Sequence, residues 1–135
     1  MVVINHEWPE GTAEEGFPII PFDDVVYIEQ VVEEKTKSGL IIANTEHAKM
    51  PRGRVVAVGP GRMYYTPMNA NETLVSCVFV PTRIKVGDFV PWGRYRTGGE
   101  PMEINGKRYV AAREGDLGGR FVNNEPVEIR YVTEQ

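Results

Sequence analysis

The 135-residue chain has one cysteine, Cys77, and two histidines, His6 and His47. A single thiol excludes an intrachain disulfide and any thiolate zinc cluster, and it suits a reducing compartment. Neither histidine has a second one at ligand spacing, so no metal site is expected. A basic excess is also missing: Lys+Arg 15 stand against Asp+Glu 19, a formal net charge of −4. Affinity for a phosphate backbone comes from surplus Lys and Arg, so a general nucleic-acid binder is not expected. No apolar run reaches the length of a membrane helix, which argues against a membrane partner. The opening MVVINHEWPEGTAEEG lacks the basic and apolar regions of a signal peptide. Uninterrupted helical stretches are scarce, because Gly 14 and Pro 10 punctuate the chain. A chain this long makes one domain and can bury a core without staples.

What is present is a series of short apolar clusters, many of them β-branched. They are Val25-Val26-Tyr27-Ile28, Val55-Val56-Ala57-Val58, Val78-Phe79-Val80, Phe89-Val90 and Tyr109-Val110-Ala111-Ala112. Such runs bounded by turn residues read as strands buried on both faces or in a small barrel. Asn105-Gly106 separates two further apolar segments and predicts a type I′ hairpin turn. Gly59-Pro60-Gly61 ends one strand and Gly98-Gly99 marks another reversal. Pro91 cannot donate a ladder bond, so its strand ends there or lies at an edge. The only helix candidates are single turns, near Thr45-Glu46-His47-Ala48 and near Glu114-Gly115-Asp116-Leu117. The chain reads as all-β, an irregular, partly open small barrel.

Appendages flank this core. Residues 1–16 carry Glu7, Glu10, Glu14 and Glu15 and read as a mobile acidic extension with a short strand at Val2-Val3-Ile4. Residues 124–135 form a second extension, in which Val127-Glu128-Ile129-Arg130-Tyr131 alternates like a strand with one wet face. Between them lies a core of 17–123. Within it, residues 33–50 and 62–83 look loop-like, and loops this long are functional or disordered.

Catalytic chemistry finds little support. Cys77 falls in an apolar run, where a buried thiol stays protonated and inert. Gly59-Pro60-Gly61 lacks the third glycine of a dinucleotide fingerprint and the Gly-Lys-Ser/Thr of a P-loop. Arg52, Arg54 and Arg62 with Tyr64 and Tyr65 read as a solvated basic edge rather than a nucleic-acid stacking platform, given the acidic total. Leu40-Ile41-Ile42 follows Ser38-Gly39 inside a charged segment. From the residues alone it is either a core strand or an exposed tripeptide that docks into a partner.

Five segments, in order, resemble the GroES-type co-chaperonins, the 10-kDa chaperonin family. Ile20-Pro21-Phe22-Asp23-Asp24-Val25-Val26 is similar to that family's opening strand. Residues 34–42, EKTKSGLII, resemble its mobile loop, and residues 52–62, RGRVVAVGPGR, the strand after it and the turn toward the roof. Ile84-Lys85-Val86-Gly87-Asp88-Phe89-Val90 and residues 113–122, REGDLGGRFV, resemble the last two motifs. The likeness implies a GroES-like β-barrel with a mobile loop at 33–50 and a roof hairpin at 62–83. It implies a homo-oligomeric, seven-membered ring that caps a GroEL-type chaperonin and encloses unfolded client proteins. By the same likeness Ser38, Gly39, Leu40, Ile41 and Ile42 bind the chaperonin's apical domains, with Gly39 letting the backbone turn. The family has no catalytic residues and no cofactor of its own; ATP belongs to the partner.

Physical magnitudes agree with that role. Three buried aliphatic side chains yield roughly 1.5–3 kcal/mol each. Fixing each loop residue costs roughly 1–2 kcal/mol, so one loop binds weakly. Linking loops in a ring raises avidity by ~10²–10⁴.

The chain departs from the family pattern in a longer, more apolar roof segment and in both extensions, which hint at a phage-encoded member acting in a host cytoplasm. Pairing of Val2-Val3-Ile4 with Val127, Ile129 and Tyr131 is one expectation for those extensions. The alternative function is a GroES-like binding or structural module without capping. An enzyme related to the barrel of medium-chain alcohol dehydrogenases is disfavoured, because their nucleotide-binding domain and zinc ligands are missing.

Overall fold

The computed structural model describes residues 9–30, 49–67, 75–93 and 101–132. The expectations for Val2-Val3-Ile4, His6, residues 31–48 with Ser38 to Ile42 and His47, and Gly98-Gly99 lie outside these residues. Eight strands and two 3₁₀ turns make up the described chain, with no α-helix among the described residues. The strands are β1 (Thr12–Ala13), β2 (Val25–Gln30), β3 (Arg52–Val58), β4 (Gly61–Pro67), β5 (Val75–Pro81), β6 (Phe89–Pro91), β7 (Met102–Ile104) and β8 (Lys107–Arg113). No helix of the described residues is long and apolar enough to cross a membrane.

One sheet runs in the order β1-β3-β2-β8-β7, and β6 pairs with β3 as well. The chain after β8 then curls round to β6. The Phe121 N–H donates to the Phe89 carbonyl at 2.7 Å, and the Gly118 N–H to the Pro91 carbonyl at 3.0 Å. Trp92 and Leu117 form a bridge. These bonds close a circuit from β3 through β2, β8 and residues 117–121 to β6 and back. The all-β, irregular barrel expected from the sequence is what the chain builds.

Alternation decides what fills it. Val26 and Ile28 on β2 face inward, together with Val55, Val58, Ile84, Val90, Trp92, Val110 and Ala112. Tyr27 pairs with Ala57 but Ile28 pairs with Val55, so Val56 is the extra residue of a bulge. The bulge shifts the inward parity of β3 from Val55 to Val58 and leaves four consecutive residues buried. The Val56 carbonyl, left out of the β2 ladder, accepts the Glu14 N–H at 2.8 Å.

Part of the outer face of the sheet is covered too. Phe17 packs tilted on Tyr27 at 5.5 Å and edge-on against Tyr109 at 5.1 Å. This corrects the reading of residues 1–16 as a free appendage. Thr12 and Ala13 pair with Val58 and Ala57, so the described part of that segment, 9–16, is an integral edge of the barrel.

Turn chemistry follows the residues. Asn105 and Gly106 both have positive φ, 51° and 80°, as a type I′ turn requires. The Lys85-Val86-Gly87-Asp88 turn has Gly87 at φ 96°. Its Asp88 N–H donates to the Lys85 carbonyl at 3.1 Å, and the Asp88 carboxylate accepts the Lys85 N–H at 2.9 Å. The strand at Phe89 stops at Pro91, and the single turn at Glu114–Asp116 forms as a 3₁₀ turn.

Two further expectations need correction. Among the described residues, 127–131 make one isolated bridge, Lys49 to Arg130, in place of the alternating strand expected there. Val78 and Val80 are not core: they are 51% and 46% exposed on a hairpin whose outer face nothing covers among the described residues.

Candidate functional site

β2 and β3 set the geometry. They are antiparallel, with Val26 opposite Val58 at one end and Gln30 opposite Gly53 at the other. The chain between them therefore leaves and returns at one rim of the barrel. At about 3.3 Å per residue, the two ends lie roughly 15 Å apart. The β4–β5 hairpin rises from the opposite end, directly after β3. The segment expected to dock and the segment expected to form a roof thus project from opposite ends of the same two strands.

Each end is built on a glycine that admits no side chain. At the first rim a Cβ on Gly53 would lie 2.3 Å from the Glu29 carbonyl oxygen. At the hairpin end a Cβ on Gly59 would lie 2.1 Å from the Asp23 carbonyl oxygen, and Gly61 has φ 136°. The Gly59 N–H donates to the Val25 carbonyl at 2.8 Å and the Gly61 N–H to the Asp23 carbonyl at 3.0 Å. These bonds fasten the foot of the hairpin to the barrel.

The first rim is charged and internally paired. Arg54 donates to Glu14 at 2.5 and 3.1 Å and to Glu29 at 3.1 Å. Lys107 adds a contact to Glu29 at 3.8 Å. The hydrogen bond from Arg54 holds the Glu14 carboxyl below its usual range, and the same bond raises the Arg54 guanidinium. Beside this rim the C-terminal segment touches the returning chain. The Met50 N–H donates to the Ile129 carbonyl at 2.7 Å. Lys49 Nζ lies 3.7 Å from Glu128, which also accepts from Arg130 at 2.7 Å. That bond from Arg130, with the charges of Arg130, Lys49 and Arg52, lowers the Glu128 carboxyl.

At the hairpin end the buried Asp24 carboxylate accepts from Arg113 Nε at 3.0 Å, and Arg62 stands 4.0 Å away. Arg83 pairs with Glu114 across the base. The hairpin itself joins Gly61 to Pro81 through to Pro67 and Val75 in unbroken register. Arg62, Tyr64, Val78 and Val80 fall on one face by this register, and Tyr64 is 49% exposed. The Arg62 guanidinium lies over the Tyr64 ring at 5.6 Å. The stretch 62–83, loop-like by composition, is therefore a two-stranded hairpin in its described part.

The structure does not gather the residues weighed for other chemistry. Cys77 lies on β5 opposite Tyr65. Arg54 and Arg62 sit at opposite ends of the barrel, so with Tyr64 they make no common stacking surface. Arg54 is occupied by two carboxylates, which corrects its reading as part of a solvated basic edge. Among the described residues no group of three or more His, Cys, Asp or Glu side chains could hold a metal ion. An open groove of about 1100 Å³ beside the first rim is lined by Glu29, Arg54, Phe89, Met102 and Lys107, whose charges already answer one another. Sequence reasoning missed Glu14, Glu29 and Glu128 as partners, since a lone carboxylate carries no local signal of the strand it will meet.

Comparison with known proteins bears on this geometry. Residues 18–121 match the family model described as the chaperonin 10 Kd subunit. A Co-chaperonin GroES of Thermus thermophilus is 36% identical over 100 residues, covering 73% of this chain and 87% of that protein. The Co-chaperonin GroES of Desulfatibacillum aliphaticivorans is 37% identical over 100 residues, with 73% and 93% covered. That of Rhodothermus marinus is 39% identical over 102 residues, with 75% and 89% covered. The match spans the barrel, both rims and the hairpin foot, and on it the chain belongs to the 10-kDa chaperonin family, the GroES-type co-chaperonins.

Proposed function

We propose that this chain is a co-chaperonin that caps a GroEL-type chaperonin as a homo-oligomeric ring, a heptamer by family likeness, in the cytoplasm. Leu40, Ile41 and Ile42 dock into the apical domains, with Ser38 and Gly39 shaping the backbone before them. The chain performs no covalent chemistry and takes no cofactor; the partner's ATP cycle drives capping and release around enclosed client proteins. One observation carries this reading: within the family match, the docking segment and the roof hairpin leave opposite ends of β2 and β3. A cap needs that polarity, one end toward the partner and the other toward the dome.

The test is native mass measurement of the chain with a GroEL-type ring and ATP, together with Ile41→Asp. The natural chain is expected to form a ring and cap the partner. The variant is expected to form the same ring and fail to cap, since a charge in an apolar groove costs several kcal/mol, on the order of the whole single-loop contact. A variant that still caps and supports client refolding overturns the docking assignment. A natural chain indifferent to the partner supports a binding module without capping.

A further inference from the structure

The family match ends at residue 121, and the described chain continues to residue 132. That addition is not held by burial: Val127 is 59% exposed and Val132 is 91% exposed. Among the described residues it meets the chain that returns to β3. Arg130 bridges Lys49, the Ile129 carbonyl accepts the Met50 N–H at 2.7 Å, and Glu128 lies between Lys49 at 3.7 Å and Arg130 at 2.7 Å. Lys49 and Met50 are the residues on which the chain returns from the docking segment. The next residue is already fixed, because the Pro51 carbonyl accepts the Trp92 N–H at 3.1 Å and β3 begins at Arg52.

We propose that Glu128, Ile129 and Arg130 are positioning residues for docking, which extend the fixed backbone of the barrel by two residues toward the chaperonin-binding tripeptide. The inference rests on the co-chaperonin reading above. Lys49 and Met50, held in advance, do not have to be ordered when the partner is met. Ordering a residue's backbone corresponds to roughly a 5- to 30-fold change in an equilibrium constant. Releasing even one of the two therefore weakens each docking event by about fivefold or more. The ring multiplies the effect, because linked contacts share their losses as they share their gains. The tail also fixes where Lys49 and Met50 stand beside the rim.

The experiment uses the whole assembly. Full chain, a chain lacking residues 124–135, Glu128→Lys and Glu128→Asp are each titrated onto a GroEL-type ring with ATP. Glu128→Lys places a further cation beside Lys49, Arg130 and Arg52 on a side chain 42% exposed, so it tests the clamp even if the truncation fails to fold. Amide hydrogen exchange at Met50 is read in the free proteins. The truncation and Glu128→Lys are expected to lose Met50 protection and to bind at least about fivefold more weakly. Glu128→Asp is expected to restore both readouts most of the way. Weakening by less than that, tighter binding, or a Met50 amide unprotected in the full chain overturns the inference. If the full chain does not bind the ring at all, the co-chaperonin reading fails and takes this inference with it. That outcome is separate from a full chain that binds and a truncated one that binds equally well.

Discussion

Arg54→Met removes one guanidinium and tests how the N-terminal edge is joined to the barrel. Arg54 donates three hydrogen bonds, to Glu14 at 2.5 and 3.1 Å and to Glu29 at 3.1 Å. Bonds to charged groups contribute about 1.5–3 kcal/mol each when buried. These three side chains are 27–32% exposed, so solvent screening reduces each to about 0.5–1 kcal/mol. Methionine keeps the apolar stem in place, so packing changes little. It also leaves Glu14 and Glu29 near each other with only Lys107 beside them among the contacts described. The expected loss is about 2 kcal/mol, a fall in Tm of about 8 °C for a chain of this size. The assay is thermal and urea unfolding at fixed protein concentration, because assembly would otherwise shift the apparent value.

The dependence on pH supplies a second reading. Arg54 lowers the Glu14 carboxyl below its ordinary value of 4.5. A carboxyl lowered in the folded state stabilises at neutral pH, above its unfolded value. That stabilisation disappears as pH falls through the lower, folded value. The gap between the natural chain and Arg54→Met should therefore be full at about pH 7 and shrink steadily below about pH 4. Equal stability within about 0.5 kcal/mol at neutral pH, or a gap that persists in acid, would refute the reasoning.

Gly59→Ala is expected to cost at least about 3 kcal/mol, because the new Cβ meets backbone oxygens of Asp23 and Phe22 at 2.1 and 2.8 Å and backbone cannot turn aside. Gly115→Ala, with nothing within 4 Å, is the control and should unfold within about 0.5 kcal/mol of the natural chain. Ile28→Ala empties the fully buried centre of β2 and should cost about 2–5 kcal/mol, measured by urea midpoint. Val80→Lys, on the wet face of the hairpin, should change stability by under about 0.5 kcal/mol; a large loss would mean that the face is covered.

The barrel is legible in the sequence because its signals are local. β-branched clusters bounded by Gly and Pro become β2, β3, β6 and β8, and Asn105-Gly106 specifies its turn through two positive φ angles. Of the hairpin at 61–81, the strand at Val78-Phe79-Val80 is legible in the residues, but its partner is not, since a composition of Tyr, Asn and Pro is shared by turns and short strands. The exposure of Val78 and Val80 escapes a sequence reading for a physical reason: hydrophobicity marks a strand, but whether that strand meets a second layer depends on where the chain goes next. The strand at Thr12 and Ala13 escapes it in the same way. It exists because Val58 and Ala57 offer an unfilled edge, and nothing within residues 9–16 announces it. Of the proposed site, Gly53 and the family motif around it carry the rim. Glu14 and Glu29 enter only through Arg54, 40 and 25 residues away along the chain. Glu128 enters only because its segment passes Lys49.

The foot of the β4–β5 hairpin has a consequence for how the molecule can vary. Gly61 and Pro81 set the pairing at its base, and the ladder then runs to Pro67 and Val75 without reference to the barrel. Residue pairs inserted at its far tip would lengthen the arch by about 3.3 Å each and leave the interior untouched. The length of that arm is thus a separate variable from the packing of the barrel. Descendants of this chain can lengthen it without re-solving how to fold.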